Sequence, residues 1–547
     1  MYHFNLVFMK KIFLTVITLC LILSSCSNDF INHDQRGVQT LDNYFSSSVE
    51  CQTFVNDLYH RAFLHYDWYE LIPGRFANEI ATDDAWMGNT GQDASGFIPA
   101  AQYLITPNNM GYLSSIYKTR YENIGACNLA INGIQKAPIT DGQKNQYLGE
   151  SLFLRAYNYY DLVNNFGGVP LALSPLSVND LALKRATKEE VYKSIETDLL
   201  KAADILPPSY ATSDKGRATK WACYALLARV SLFQEKWTEA DTYANKVIKE
   251  GGFSLESNFL NIWSVNNHNG VESILEAQTT SDSSKQLGNP MATFAGARGE
   301  KKENFPSQNA LDVMDGWGWC TPTSDLENCY LSENDVVRRR STITRSGDAA
   351  YGDEINNPTH IWDITQSKSG RIIRKYYIPV ATRRSLVSTY LNAPLNVPII
   401  RLAEMYLTSA EAAYHLGNVS QAMNYVDIIR NRVGLAPKTG LVVGDNILRT
   451  IWKERRMELA FEGLRLYDIR REIDPSTSKP VIASLLGPSG TFVLYNTTSS
   501  KDKNEITNLK ELQDKGMHFD INKNLLWPIP QSEIDRSQGL ITQNPNY

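Results

Sequence analysis

Two short stretches of the 547-residue chain set tryptophan beside glycine and polar side chains: Asp83-Asp84-Ala85-Trp86-Met87-Gly88-Asn89 and Asp315-Gly316-Trp317-Gly318-Trp319-Cys320. Glycine next to tryptophan leaves the indole face uncovered by neighbouring side chains. Nearby Asp, Asn and Arg residues supply hydrogen bonds. That pairing suits a sugar ring, whose C–H face stacks on an aromatic ring while its hydroxyls reach polar groups. An indole that loses about 100 Å² to a ligand gains roughly 2.5 kcal/mol gross. After association costs, two or three such contacts support micromolar to millimolar capture. The competing use of the same pattern is to pack a loop over a core edge.

Hydrolytic and metal chemistries find little support. A glycoside hydrolase needs two carboxylates roughly 5 to 10 Å apart, and among 59 acids a pair such as Asp83 and Asp84 is expected by chance. The sequence has no HExxH, GxSxG, Walker or GxGxxG motif, and its eight histidines are scattered. Seven cysteines include no CxxC and no Cys/His metal spacing. Cys320 and Cys329 could bridge if the loop between them folds back, or stay as free thiols. The expectation is a protein that is not an enzyme and uses no cofactor or metal.

These residues sit in a chain of ordinary globular composition, 43% hydrophobic and 21% charged with net charge −5. Length suggests about three domains as a soft prior. There is no basic stripe of the kind that marks a nucleic-acid binder. Tyrosines are numerous, 28 against 19 Phe, which points to many rings at half-wet positions.

The N-terminus reads as an export signal over residues 1–25, with translation starting either at Met1 or at Met9. Lys10-Lys11 precede an apolar run from Ile12 to Leu23 and then Leu23-Ser24-Ser25-Cys26. The run is shorter than the roughly 20 residues needed to cross a bilayer. A Cys after Leu-Ser-Ser resembles a bacterial lipobox, implying cleavage before Cys26 and its acylation. Several acyl chains would anchor the protein at about 0.8 kcal/mol per buried methylene.

The elements that must position the tryptophans are helices. Apolar residues recur at helical spacing from Gln146 to Phe166, stopped by Gly167-Gly168. Thr187-Lys188-Glu189-Glu190 forms a capping box for a helix that ends before Pro207-Pro208. Tyr224, Leu227, Ala228, Trp237 and Ala240, and again Tyr406, Ala410, Ala413, Gly417 and Ala422, fall at tetratricopeptide-like offsets. Further helices are expected near Val49 to His65 and Met110 to Ile134. Residues 251–400 are rich in Gly, Asn, Ser, Thr and Pro, with short apolar runs at Ser273 to Ala277 and Arg371 to Tyr377. They read as loops with short strands, a length of loop usually kept for binding. Arg455, Arg456 and Glu458 read as charge pairing along a solvated helix face.

Six segments in order then resemble one family: Cys26 with Asp29-Phe30; YLGESLFLRAYNYYDLVNNFGGVPL (147–171); GWGWCTPTSDLENCY (316–330); ERRMELAFEGLRLYDIRR (454–471); LLWPIPQSEI (525–534); and ITQNPNY (541–547). Together they look like the SusD/RagB family of Bacteroidetes outer-membrane lipoproteins, across essentially the whole mature chain. The resemblance implies a mainly α fold with tetratricopeptide-like helix pairs as scaffold and a loop-rich ligand region. One interlocked unit is expected, divided into an N-terminal region 26–250 and a C-terminal region 251–547.

It also implies a cell-surface lipoprotein that captures an oligosaccharide and acts as a lid on a SusC-like TonB-dependent barrel. Ligand-binding residues are expected at Trp86, Asn89, Trp317 and Trp319, with Asp84, Arg298 and Tyr330 behind them, and lipid attachment at Cys26. Peptide, as in the RagB branch, and a protein-binding scaffold are the alternative roles, with a surface glycoside hydrolase a further one.

Overall fold

Helix boundaries follow the capping chemistry. The computed structural model describes residues 44–64, 71–88, 95–177, 183–282, 284–285, 287–297, 316–349, 361–362, 364, 369–379, 393–498 and 514–547. The first helices are α1 (Ser48–Phe63), α2 (Leu71–Ile80), α3 (Leu113–Lys136) and α4 (Asp141–Phe166). α4 begins five residues before the apolar period becomes visible, because Thr140 and Gln143 form a capping box. Gly167, at φ 73°, ends it. In α5 (Lys188–Ile205) the predicted box forms: Thr187 Oγ1 accepts from Glu190 N–H at 3.2 Å, and Glu190 Oε2 from Thr187 N–H at 2.8 Å.

α6 (Lys220–Leu232) and α7 (Trp237–Glu250) form the first tetratricopeptide-like pair. The loop-rich part follows, with α8 (Met291–Phe294), α9 (Ser324–Leu331) and α10 (Val336–Thr342). α11 (Leu402–His415) and α12 (Val419–Arg432) form the second pair. α13 (Asp445–Leu459), α14 (Arg465–Arg471) and the short α15 (Gln531–Arg536) are among the helices of the C-terminal part.

Consecutive helices from α3 to α7 pack in a row, and α7 packs directly on α11, so the two pairs bury each other's faces. The contact is chemically specific. Arg229 on α6 makes two 2.6 Å bonds to the Glu404 carboxylate on α11, both side chains being buried. Trp237 stacks on His415 with ring centroids 3.9 Å apart. Ala240, Ala410, Ala413 and Ala422 are fully buried or nearly so, letting the helices approach closely.

The described strands form four two-stranded antiparallel sheets. β1 (Ala85–Trp86) pairs β3 (Thr321–Pro322), and β2 (Ser273–Ala277) pairs β6 (Val397–Arg401). β4 (Ile343–Arg345) pairs β5 (Arg371–Ile373), and β7 (Ile473–Asp474) pairs β8 (Lys479–Pro480). The β2–β6 pair ties the start of the loop-rich region to its end. Residues Ser47–Tyr547 form one compact unit. Among the described residues no helix is long and apolar enough to cross a membrane. Cys26 lies outside the described residues.

One expectation is overturned. α13 is not a solvated charge ladder: Arg455 and Glu458 are buried, and their partners come from other elements. Glu458 takes Arg401 at 2.6 Å and Arg338 at 3.1 Å, and Arg455 takes Asp468 at 2.8 Å. Burial opposes ionisation of Glu458, but the guanidinium groups of Arg432, Arg401 and Arg338 hold its carboxyl well below the usual range. Cys320 and Cys329 are free thiols, not a bridge.

Candidate functional site: an aromatic platform

The tryptophan-rich segment 316–319 is stitched to α8 by backbone hydrogen bonds. Trp317 N–H donates to the Thr293 carbonyl at 2.9 Å, Gly318 to Gly296 at 3.0 Å and Trp319 to Phe294 at 2.8 Å. Cys320 N–H then reaches the Met87 carbonyl at 3.2 Å, and the chain continues into β3 against β1. Such close backbone approach requires glycine. A Cβ on Gly88, at φ +89°, would lie 1.9 Å from the Gly318 carbonyl oxygen, and one on Gly316 would lie 2.2 Å from the Gly296 carbonyl carbon.

This stitching gathers five rings. Trp317 and Trp319 centroids are 4.9 Å apart, and Phe294 lies 4.6 Å from the first and 5.1 Å from the second. Phe97 meets Trp319 edge-on at 5.2 Å, and Tyr112 closes the group 4.7 Å from Phe97 and 6.1 Å from Trp319. Trp319 is 7% exposed and serves as the support. Trp317 and Tyr112 are half-buried. Phe97, Tyr112 and Phe294 were not singled out by sequence reasoning. They join the tryptophans only through the tertiary fold, and nothing local marks them.

Other expected ligand residues turn out to be interior. Trp86 is 2% exposed, its ring packed on Phe492 at 5.7 Å with Lys515 Nζ 5.6 Å from its centroid. Lys515 also donates to the Thr82 carbonyl. Burial lowers its pKa to about 8 despite the neighbouring Asp83 and Asp84. Tyr330 is fully buried and donates its hydroxyl to the Met457 carbonyl at 2.8 Å. Neither ring presents a face to a ligand in this structure. Glycine beside an aromatic residue signals close packing as readily as an open indole face. Asn89 and Arg298 lie outside the described residues.

Asp84 is likewise a foundation. Arg456 Nε lies 2.7 Å from Asp84 Oδ1, and its Nη2 reaches Asp83 Oδ2 at 2.9 Å and Asp325 Oδ1 at 2.7 Å. Arg465 grips Asp83 with two bonds of 2.9 and 2.8 Å. Burial disfavours the Asp83 carboxylate, but Arg456 and Arg465 hold its pKa well below the usual range. Burial, reinforced by the Asp83 charge, pushes Asp84 up against the pull of Arg456. Both carboxylates are 0% exposed, so neither reaches a surface from which to act on a substrate. Among the described residues no group of three or more His, Cys, Asp or Glu could hold a metal.

Comparison with known proteins places this geometry. The model of the SusD family matches residues 271–547. One described as "Starch-binding associating with outer membrane" matches residues 40–232. A SusD-like protein from Bacteroides ovatus is 25% identical over 483 residues, covering 85% of this chain and 82% of the relative. SusD-like protein P2 from Formosa agariphila is 26% identical, covering 98% of this chain and all of that one. Among solved structures, a laminarin-binding SusD-like protein superposes with TM-score 0.71 at 27% identity, covering 91% of this chain and 99% of the other. A SusD-like protein from Bacteroides fragilis gives TM-score 0.73 at 23% identity, covering 92% and 98%, which shows the shared fold. By its helical scaffold and by these matches the chain belongs to the SusD family.

Proposed function

We propose that the protein is a glycan-binding lipoprotein of the outer membrane, anchored through acylated Cys26. It captures an oligosaccharide on the Trp317 platform and serves as a lid on a SusC-like TonB-dependent barrel. The observation that carries the binding reading is the half-buried Trp317 indole, held in place by Trp319 and Phe294 and by backbone bonds to α8. A partly accessible ring already fixed in place stacks a sugar without first paying to order a loop. The laminarin-binding relative, which shares 27% identity, supports a glucan as the ligand class. Asn89 and Arg298 flank the platform segments in sequence and are proposed as hydrogen-bonding partners. Capture occurs without cleavage, in keeping with the burial of Asp83 and Asp84 under guanidinium groups.

Titration of the purified protein with laminarin is the direct test. Binding that is lost in Trp317→Ala, with the polysaccharide recovered at its original length, is the expected result. Unchanged affinity in the variant would remove the platform from the proposal, and shortened chains would remove binding without turnover. Recovery of a large TonB-dependent barrel with the protein from detergent-solubilised outer membranes tests the lid role.

A further inference from the structure

The ring cluster rests on α8, which is a single turn of four residues. A helix that short has no stability of its own in water, so its position is set by what grips it. On one side the grip is the segment 316–319 described above. On the other it is Asn289, a fully buried residue two positions before the helix.

Asn289 makes three bonds in two directions. Its backbone N–H donates to the Ala393 carbonyl at 2.8 Å, forming an antiparallel bridge. Its Nδ2 donates to the Leu395 carbonyl at 3.0 Å, and its Oδ1 accepts from the N–H of Met291, the first residue of α8, at 2.9 Å. The last bond closes an Asx turn around Pro290, whose own carbonyl accepts from Thr293 and Phe294 N–H at 3.0 Å each. Ala292 adds an apolar contact on the same side, packing with Ile378, Ala393 and Leu395.

The 393–396 segment is in turn fixed to the scaffold. Asn396 Oδ1 accepts from Thr279 N–H at 2.9 Å, and its Nδ2 donates to Glu276 Oε2 at 2.9 Å. Val397 then opens β6, which pairs with β2 and runs straight into α11. A continuous path of bonds therefore runs from the second tetratricopeptide-like pair through β6 and Asn289 to α8, and on from the Thr293, Phe294 and Gly296 carbonyls to residues 317–319.

We propose that Asn289 is the positioning residue of the aromatic cluster: its side-chain amide fixes α8 against the 393–395 segment and so sets where Phe294 holds Trp317. The two neighbours of that side chain ask for opposite things, a donor toward Leu395 and an acceptor toward Met291, and a primary amide supplies both. Alanine supplies neither and leaves a carbonyl and an N–H unpaired. The consequence for ligand capture rests on the proposed use of Trp317; the hold on the rings does not.

Hydrogen exchange of the purified protein, read by mass spectrometry on peptides covering 289–297 and 316–320, tests the hold without a ligand. In Asn289→Ala both segments should exchange faster, by about fivefold for each of the two side-chain bonds lost, while peptides from α3 to α7 keep the parent rates. Exchange of 316–320 at the parent rate, or equal acceleration along the whole chain, would overturn the positioning role. Should the variant fail to fold, the unmodified protein decides: the two segments should open together as denaturant is raised, and independent openings would overturn the coupling. Titration with laminarin then reads the consequence, with affinity expected to fall about fivefold or more in Asn289→Ala. Unchanged affinity would remove Asn289 from ligand capture. Absence of binding by the unmodified protein would instead overturn the glycan reading, while the exchange rates still decide whether Asn289 holds the rings.

Discussion

Arg456 on α13 meets Asp84 at 2.7 Å across 372 residues of sequence, joining the C-terminal half of the chain to the strand that carries Trp86. Asp84 is buried, and Arg456 shares its guanidinium with Asp83 and Asp325 as well. Removing the cation leaves carboxylates in a site that water cannot reach. Arg456→Ala is expected to cost about 3–5 kcal/mol, read as a lower midpoint in chemical denaturation. Asp325→Asn, at the more exposed end of the network, should cost under about 1 kcal/mol.

The tryptophans should separate by readout. Trp86→Ala opens a cavity in the interior and should destabilise by about 3–5 kcal/mol. Trp317→Ala removes a half-buried ring and should abolish glycan binding while costing much less stability. Comparing melting temperature with affinity for the two variants checks the division. Equal effects on both quantities would contradict it.

Glu79 gives a pH signature. It lines a small interior cavity, one carboxylate oxygen accepts from Gly463 N–H at 2.8 Å, and the other has no hydrogen-bond partner among the described residues. Burial, with the charge of Asp84 added, raises its pKa from 4.5 to about 8. The folded state therefore binds this proton more tightly than the unfolded chain. Its contribution is complete below pH 4.5 and is lost as pH rises to about 8. Glu79→Gln keeps the acceptor and removes the charge. Stability of the variant relative to the parent should rise across that window, by at most about 1.4 kcal/mol per pH unit. A difference that stays flat with pH would show that Glu79 titrates normally.

The capping box of α5 provides a modest control. Thr187→Ala should cost about 1 kcal/mol and leave ligand affinity unchanged, because Thr187 lies outside the platform.

Periodicity and caps made the scaffold legible. The Thr187 box, the Gly167 stop and the small residues of the two helix pairs are local signals, and each appears where the spacing puts it. The burial of α13 was not legible. A row of Arg and Glu at helical spacing looks the same whether its partners sit one turn away or, as for Glu458, 57 residues away at Arg401. The site was half legible for a similar reason. Gly-Trp-Gly-Trp announces tight backbone packing and exposed rings alike, and only the tertiary fold decides that Trp319 is buried while Trp317 is half-buried.

The last residues of the chain lock onto the first helices. Trp527 is fully buried, donating its indole N–H to Asn78 on α2 at 2.9 Å and its backbone N–H to the Asn165 carbonyl on α4 at 2.7 Å. Asn544 adds a bond to the Phe166 carbonyl at 3.0 Å. Packing of these N-terminal helices is thus completed by residues 449 and 378 positions further along the chain. Contacts of such long sequence separation slow folding, so closing this clasp, not winding the helices it joins, is expected to set the pace at which the scaffold consolidates.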